Sequence, residues 1–441
     1  MTVSSFAQRL AVTGALPRLS AQNRAPVRIG VLTPLSGPEE YWGRPGLDGC
    51  RIWIDWINEH GGMMVAGKRH RVEIIAHDSA LSADATQAAA RDMVERQRVR
   101  LMLTLGGDSF APVLRQLMTR RVLVATLLPS DLSPDTPYLI APAEVHPLFN
   151  VTGVEWLARS APAARRVALC SQADSLGLPS LAVYRAAFEV VGHPVVKEIR
   201  YAPDTTQAEE IVAAMLAEQP DICCWCSSTP PMTQALTEAA HAQGFTGQML
   251  SSTGDDYPRM IARTSLSFME NFTFQFPDFD DPELTDTAFF FHRPKAFFDA
   301  YNARFPGAWG AVSWEYASML DLWHNAVERA DTIEPVSVLA AMKRGREMSH
   351  AFGPARWWGN ELYGIDNVLV GRWPVVSICQ GRARIMEFGS VLDWLERHTP
   401  LLLRHLEDLG QSWQQRLAAR PLAALSPPAG AAFDPRSAPA S

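Results

Sequence analysis

The chain has 441 residues, 47% apolar and 20% charged, with a formal net charge of −7. At a usual ~100–200 residues per domain, that length points to more than one folded unit. No apolar run approaches the ~18–20 residues of a membrane span, and no basic cluster offers phosphates a partner, which argues against direct membrane insertion and nucleic-acid binding.

In chain order, residues 1–26 carry Arg9, a thin apolar stretch over 10–16, Pro17 and the small pair Ser20-Ala21. This is the outline of a degenerate signal peptide. A full one has a longer apolar segment behind a clearly basic start, so a leader with no export role stays open. An apolar strand over 27–32 then stops at Thr33-Pro34-Leu35-Ser36-Gly37. The stretch 46–62 places Ile52, Trp53, Trp56 and Ile57 at helical spacing and ends on Gly61-Gly62. A strand over 71–78 completes a β-turn-α-β unit with a parallel sheet.

The alternation continues. A strand over 100–105 ends at Gly106-Gly107-Asp108-Ser109 before a helix over 110–120, and a strand over 122–125 ends at Thr126-Leu127-Leu128-Pro129. Ligands bind at such strand ends in parallel α/β sheets, because loops converge there and helix N-termini offer unpaired N–H groups. The glycines permit close backbone approach, and Ser109 can donate and accept. Capping of the next helix by Asp108 or Ser109 is the other reading of this turn.

A second unit begins near 144, with a helix over 146–159, a strand over 166–169, the loop 171–177 and a helix to 191. A strand over 221–226 ends at Ser227, and another over 248–252 ends at Thr253-Gly254-Asp255-Asp256. A helix follows from 312, with Trp314 and Glu315 at its start, bordering a hinge. The run Cys223-Cys224-Trp225-Cys226 reads as a buried strand. Zinc would need two spaced ligand pairs, and adjacent strand residues point to opposite faces. The other cysteines read as small core residues. Stretches 391–398 and 401–417 are amphipathic and helical, and 421–441, rich in Ala, Pro and Ser, is expected to be disordered.

Three motifs in order, Gly30-Val31-Leu32-Thr33-Pro34-Leu35-Ser36-Gly37, Asn58-Glu59-x-Gly61-Gly62 and His77-Asp78-Ser79, carry a family resemblance. The chain resembles the type I periplasmic solute-binding proteins of ABC transporters, the leucine/isoleucine/valine-binding group, over about 27–388. The resemblance implies an α/β fold of two Rossmann-like lobes with parallel sheets, joined by a multi-strand hinge and closing on a small ligand. The expected division is 1–26 leader, 27–143 plus 277–352 lobe one, 144–276 plus 353–390 lobe two, 391–420 helical extension and 421–441 tail. The family pattern maps ligand contacts onto Trp42, Gly43, Ser109, Thr126 and Leu127 in lobe one. In lobe two it maps them onto Leu176, Trp225, Ser227, Asp255 and Asp256. Ser and Thr would hold a carboxylate, and an aspartate the ligand's ammonium. Leu176 stands where the family often has an aromatic residue. Trp42 and Trp225 also suit plain core packing.

No Gly-x-Ser-x-Gly elbow or His-Glu-x-x-His pair is present, so neither enzyme activity nor a cofactor or metal is expected. The resemblance implies a periplasmic receptor that captures a small amphiphilic solute (amino acid, amide or aromatic acid) and delivers it transiently to ABC permease subunits. The alternative is a cytoplasmic small-molecule sensor of the same fold that regulates a protein partner. Cleavage near Ala21 would separate the two.

Overall fold

The short apolar runs near the start of the chain become strands of one parallel sheet. The computed structural model describes residues 24–37, 39–79, 82–143, 146–284, 294–345 and 348–420. Most of the expected leader and the whole expected tail therefore lie outside the described residues. β1 (Val27–Thr33) leads into helix Glu40–Glu59 and the hairpin of β2 (Met63–Val65) and β3 (Lys68–His70). β4 (Val72–Asp78), β5 (Leu101–Thr104), β6 (Leu123–Thr126) and β7 (Leu139–Ile140) follow. The strand order is β4-β1-β5-β6-β7, every pair parallel. β5 and β6 are buried along their whole length. That continuous burial is what a parallel sheet covered by helices on both faces requires.

The second sheet is built from β8 (Val167–Gln172), β9 (Val195–Tyr201), β10 (Ile222–Cys224), β11 (Gln248–Leu250), β12 (Phe272–Phe274), β13 (Met348–His350), β14 (Gly353–Trp358), β15 (Val368–Cys379) and β16 (Arg382–Ser390). Its order is β13-β14-β15-β12-β11-β10-β8-β9, with β16 also paired to β15. β8 to β12 are parallel, whereas β13 to β16 add antiparallel hairpins at one side. Each sheet with its covering helices forms a lobe, in the two-lobed α/β architecture that the resemblance implied. β13 falls in the expected lobe-one segment yet pairs with β14 of the second sheet.

Helix Glu40–Glu59 starts six residues before the stretch that its glycines mark in the sequence. The spacing Gly43, Gly46, Gly49 serves close packing. A methyl group at Gly46 would sit 2.6 Å from the Tyr316 ring, and one at Gly49 1.9 Å from the Ser313 carbonyl oxygen. Helix Val312–Ala330 therefore lies against this stripe with backbone nearly touching backbone. The Trp53 indole donates to Asp321 at 3.2 Å, and the hydroxyls of Thr33 and Tyr316 are 3.0 Å apart.

Between the lobes, the Ala141 and Leu369 N–H groups donate to Asn367 O and Ala141 O at 2.9 and 3.0 Å. Residues from separate chain crossings also meet in an aromatic cluster. Phe149 stacks on Trp373 at 5.0 Å, Phe149 meets Phe276 edge-on at 5.3 Å, and Phe352 contacts both Trp373 and Trp314. Aromatic pairs of this kind contribute ~0.5–1.5 kcal/mol each beyond simple burial.

The extension past β16 touches both lobes. Helix Val391–Asp408 buries Val391, Trp394, Leu395, Leu402 and Leu406 and packs on helix Gly177–Val190 of lobe two. Helix Trp413–Ala419, opened by a Ser412/Gln415 capping box, then reaches lobe one. There Arg416 pairs with buried Asp131 at 3.1 Å and with Asp108 at 3.2 Å, and donates to Ser130 O at 3.0 Å. Among the described residues no helix is long and apolar enough to cross a membrane.

Two substitutions test this architecture. Gly49→Ala should lower the unfolding free energy by about 2 kcal/mol, because overpacking against Ser313 outweighs the gain in helix propensity; denaturant titration measures it. Arg416→Ala strips a buried carboxylate of its main partner and should cost about 3 kcal/mol. An unchanged denaturation midpoint for Arg416→Ala would show that the extension is only loosely attached.

Candidate functional site

The C-terminal ends of the strands in both sheets face one another, so the loops leaving them meet between the lobes. Lobe one supplies Trp42 from the start of helix Glu40–Glu59, Leu105 after β5, and Leu127 and Leu128 after β6. Lobe two supplies Leu176 after β8, Ser227 and Ser228 after β10, and Ser252 and Thr253 after β11. His146 enters from the first crossing, and Ala311, Val312 and Glu315 from the start of helix Val312–Ala330. Together these residues line a cavity of about 40 Å³. A broader depression of about 500 Å³ lies among Asp221, Gln243, Phe245 and Gln248. It sits on lobe two alone, at the starts of β10 and β11, among the loops that enter the strands and on the side of the sheet away from the cleft.

Typical ligand pockets have ~300–1,000 Å³, so a 40 Å³ cavity marks two lobes in near contact. Direct bonds cross the cleft. Asp108 N–H donates to Ser175 Oγ at 3.2 Å, and Ala311 N–H to Asp255 Oδ1 at 2.7 Å. Burial pushes the Asp255 carboxyl above its usual range, opposed by the hydrogen bond from Ala311 N–H, and its Oδ2 has no hydrogen-bond partner among the described residues.

The polar wall on lobe two is a relay. Asn150 donates to Ser252 Oγ at 3.0 Å, Ser252 and Ser227 hydroxyls are 2.8 Å apart, and Ser227 Oγ is 3.1 Å from His146 Nε2. Lobe one shows the cavity an apolar wall. Thr126 turns its hydroxyl inward to Leu105 O and Leu128 O, both at 3.1 Å. Leu127 and Leu128 spend their N–H groups on Thr104 O and Leu105 O.

Of the residues that the sequence pointed to, Trp42, Leu127, Leu176 and Ser227 line the cavity. The others stand elsewhere. A methyl group at Gly43 would meet Pro34 O at 1.6 Å, so that glycine serves packing. Ser109 is half-buried outside the lining, and neither it nor Asp108 caps helix Ala111–Thr119. Thr126 is buried behind the leucines. Trp225 is fully buried in the second core with Met232 and Leu236. It is the positive φ of Cys226 that turns the chain, so that Ser227 and not Trp225 reaches the cleft. Asp255 bonds across the lobes at the cavity's edge, and Asp256 is exposed at the start of helix Tyr257–Arg263.

Cys223 and Cys224 belong to different cores on opposite faces of β10, and no group of three or more potential metal ligands occurs among the described residues. His146 was not singled out by the sequence, and Glu315 only as a neighbour of the hinge. Glu315 is fully buried, and neither of its carboxyl oxygens has a hydrogen-bond partner among the described residues. Its sequence signal is a carboxylate in the first turn of a helix that is otherwise largely apolar up to Asp321.

The mouth of the cleft is acidic. Burial, then the nearby Asp174 and Asp108 carboxylates, raise the Glu39 carboxyl to about 7. The folded chain therefore keeps this proton up to about pH 7, while the unfolded chain releases it near 4.5. Stability from this group is present at low pH and lost as pH rises through 7. Glu39→Gln should flatten the decline in melting temperature between pH 5 and 8; parallel curves for variant and parent would contradict this origin.

Comparison with known proteins gives the same architecture. The sequence model of the family described as periplasmic binding protein matches residues 26–379. No curated protein sequence matches the chain. Among solved structures, an ABC transporter substrate-binding protein of Aeropyrum pernix superposes with a TM-score of 0.71 at 16% identity, covering 86% of this chain and 99% of that one. A solute-binding protein of an ABC transporter from Rhodopseudomonas palustris, in complex with 4-hydroxybenzoate, has a TM-score of 0.67 at 18% identity, covering 83% and 97%. A leucine binding protein, LivK, of Thermotoga maritima has a TM-score of 0.64 at 16% identity, covering 82% and 99%.

Proposed function

The chain belongs to the periplasmic binding protein family, a family of solute-binding proteins and not enzymes, and from that premise we propose that it captures a small amphiphilic solute for an ABC-type uptake system. The observation that carries this reading is the cavity at the converged strand ends, enclosed by both lobes. An indole and four leucines share its lining with hydroxyls, a histidine and a carboxyl, a lining suited to an apolar body with one polar head. Amino acids, amides and aromatic acids are the solute classes to consider; the relatives named above include a leucine binding protein and a 4-hydroxybenzoate complex. In this reading the solute enters an opened cleft, the lobes close over it, and the closed form engages the permease subunits in the periplasm.

A second reading, a cytoplasmic sensor of the same fold, draws on the extension that ties lobe two to lobe one through Arg416. Such a link would pass lobe movement to a partner protein. Sequencing the N-terminus of the native protein separates the two readings, since cleavage near Ala21 requires export.

A thermal-shift screen of amino acids, short amides and aromatic carboxylates tests capture itself. A solute at ~100 times its dissociation constant should stabilise the protein by about 2.7 kcal/mol, and its binding should change Trp42 emission. If Trp42→Phe loses the emission change and keeps the thermal shift, the solute sits in this cavity. A solute that stabilises the protein without altering Trp42 emission would place capture elsewhere.

A further inference from the structure

Among the residues that line the cavity, Glu315 has buried carboxyl oxygens with unmet demand, and at its edge Asp255 Oδ2 is the other such atom among the described residues. Glu315 lies in the first turn of helix Val312–Ala330, with none of its side chain exposed and neither carboxyl oxygen hydrogen-bonded among the described residues. The helix dipole favours negative charge at this end, yet a carboxylate so deeply buried is costly unless a donor or cation meets it. No Lys or Arg lines the cavity. The neighbouring donors are committed, with Ala311 N–H bonded to Asp255 and Ser227 to Ser252 and His146.

Lobe one lacks the complementary device for an anion. The lobe-one positions that the family resemblance assigns to a carboxylate, Ser109 and Thr126, are outside the lining. The Thr126 hydroxyl and the Leu127 and Leu128 N–H groups are spent within their own loops. A carboxylate placed against the leucines would be desolvated with no donor. Carboxyl groups also gather at the approach to the cleft, Glu39, Asp108 and Asp174, of which Asp108 is paired with Arg416.

Building on solute capture as proposed above, we infer that Glu315 receives the N–H donors of a cationic nitrogen, and that the solute is a small organic amine without a carboxylate. Its apolar body packs on Trp42, Leu105, Leu127, Leu128 and Leu176. This binding mode differs from one in which lobe-one hydroxyls hold an acid.

Calorimetric titration of the full chain with matched amines, amides and acids tests the inference: isobutylamine, isobutyramide and isobutyrate, and benzylamine, benzamide and benzoate. On at least one body the amine should bind at least tenfold more tightly than the amide, with the acid weakest. Glu315→Gln should weaken the amine tenfold or more and leave the amide within about threefold, with the free variant melting at or above the parent's temperature. Tighter binding of an acid than of its amine, or an amine affinity unchanged in Glu315→Gln, overturns the inference and leaves solute capture standing. If neither amine binds, the inference also falls; if in addition no solute of the broader screen binds, solute capture falls with it.

Discussion

The near-contact of helices Glu40–Glu59 and Val312–Ala330 sets the geometry of the cleft. Gly46 and Gly49 let the two backbones approach as no side chain would allow, and Trp53 and Asp321 tie them further along. Burial lifts the Asp321 carboxyl to about 7, against the pull of His324 and the Trp53 bond, which places this polar tie deep in the packing. Because the helices are locked together at this end, Trp42 from one and Glu315 from the other enter the same small cavity. A separation of about 1 Å there would move the carboxyl relative to every leucine it faces.

Around that fixed element the molecule has parts built to stay and parts built to part. The aromatic cluster of Phe149, Phe276, Trp314, Phe352 and Trp373 spans the crossings and is buried. Such a core resists opening but tolerates small rotation about the strands that run through it. The bonds at the rim are of another kind. Asp108 to Ser175, Asp255 to Ala311 and Arg416 to Asp108 are single polar contacts; a neutral one is worth roughly 0.5–1.5 kcal/mol net, and the pair to the exposed Asp108 carboxylate is weakened by solvent. Opening exchanges them for water. Helix Trp413–Ala419 complicates that exchange, because it holds lobe one while its preceding helix is seated on lobe two. Lobe movement must therefore bend or release the extension.

Much of the fold was legible in the sequence. Apolar runs broken by Gly, Pro and Asp predict the parallel strands, since a strand buried on both faces has little else to show, and the three early motifs fixed the architecture. The site was legible only as far as strand ends are legible. Trp42, Leu127, Leu176 and Ser227 reach the cavity, but Thr126 and Trp225 do not. Whether a residue one position past a strand faces the cleft depends on a single backbone turn, such as the positive φ of Cys226. Glu315 gives little sequence signal of its place, because helical periodicity gives which face is buried, not what that face is buried against. The family pattern points to Gly43 as a ligand contact, whereas in the structure its lack of a side chain makes room for Pro34.

The central claim is that the closed arrangement is one of two, and that a solute between the lobes favours it. Small-angle X-ray scattering of the protein with and without the solute that stabilises it most tests this directly. A larger radius of gyration without solute, and a solute-bound curve matching the closed structure, is the predicted result. Identical curves in both conditions would contradict it.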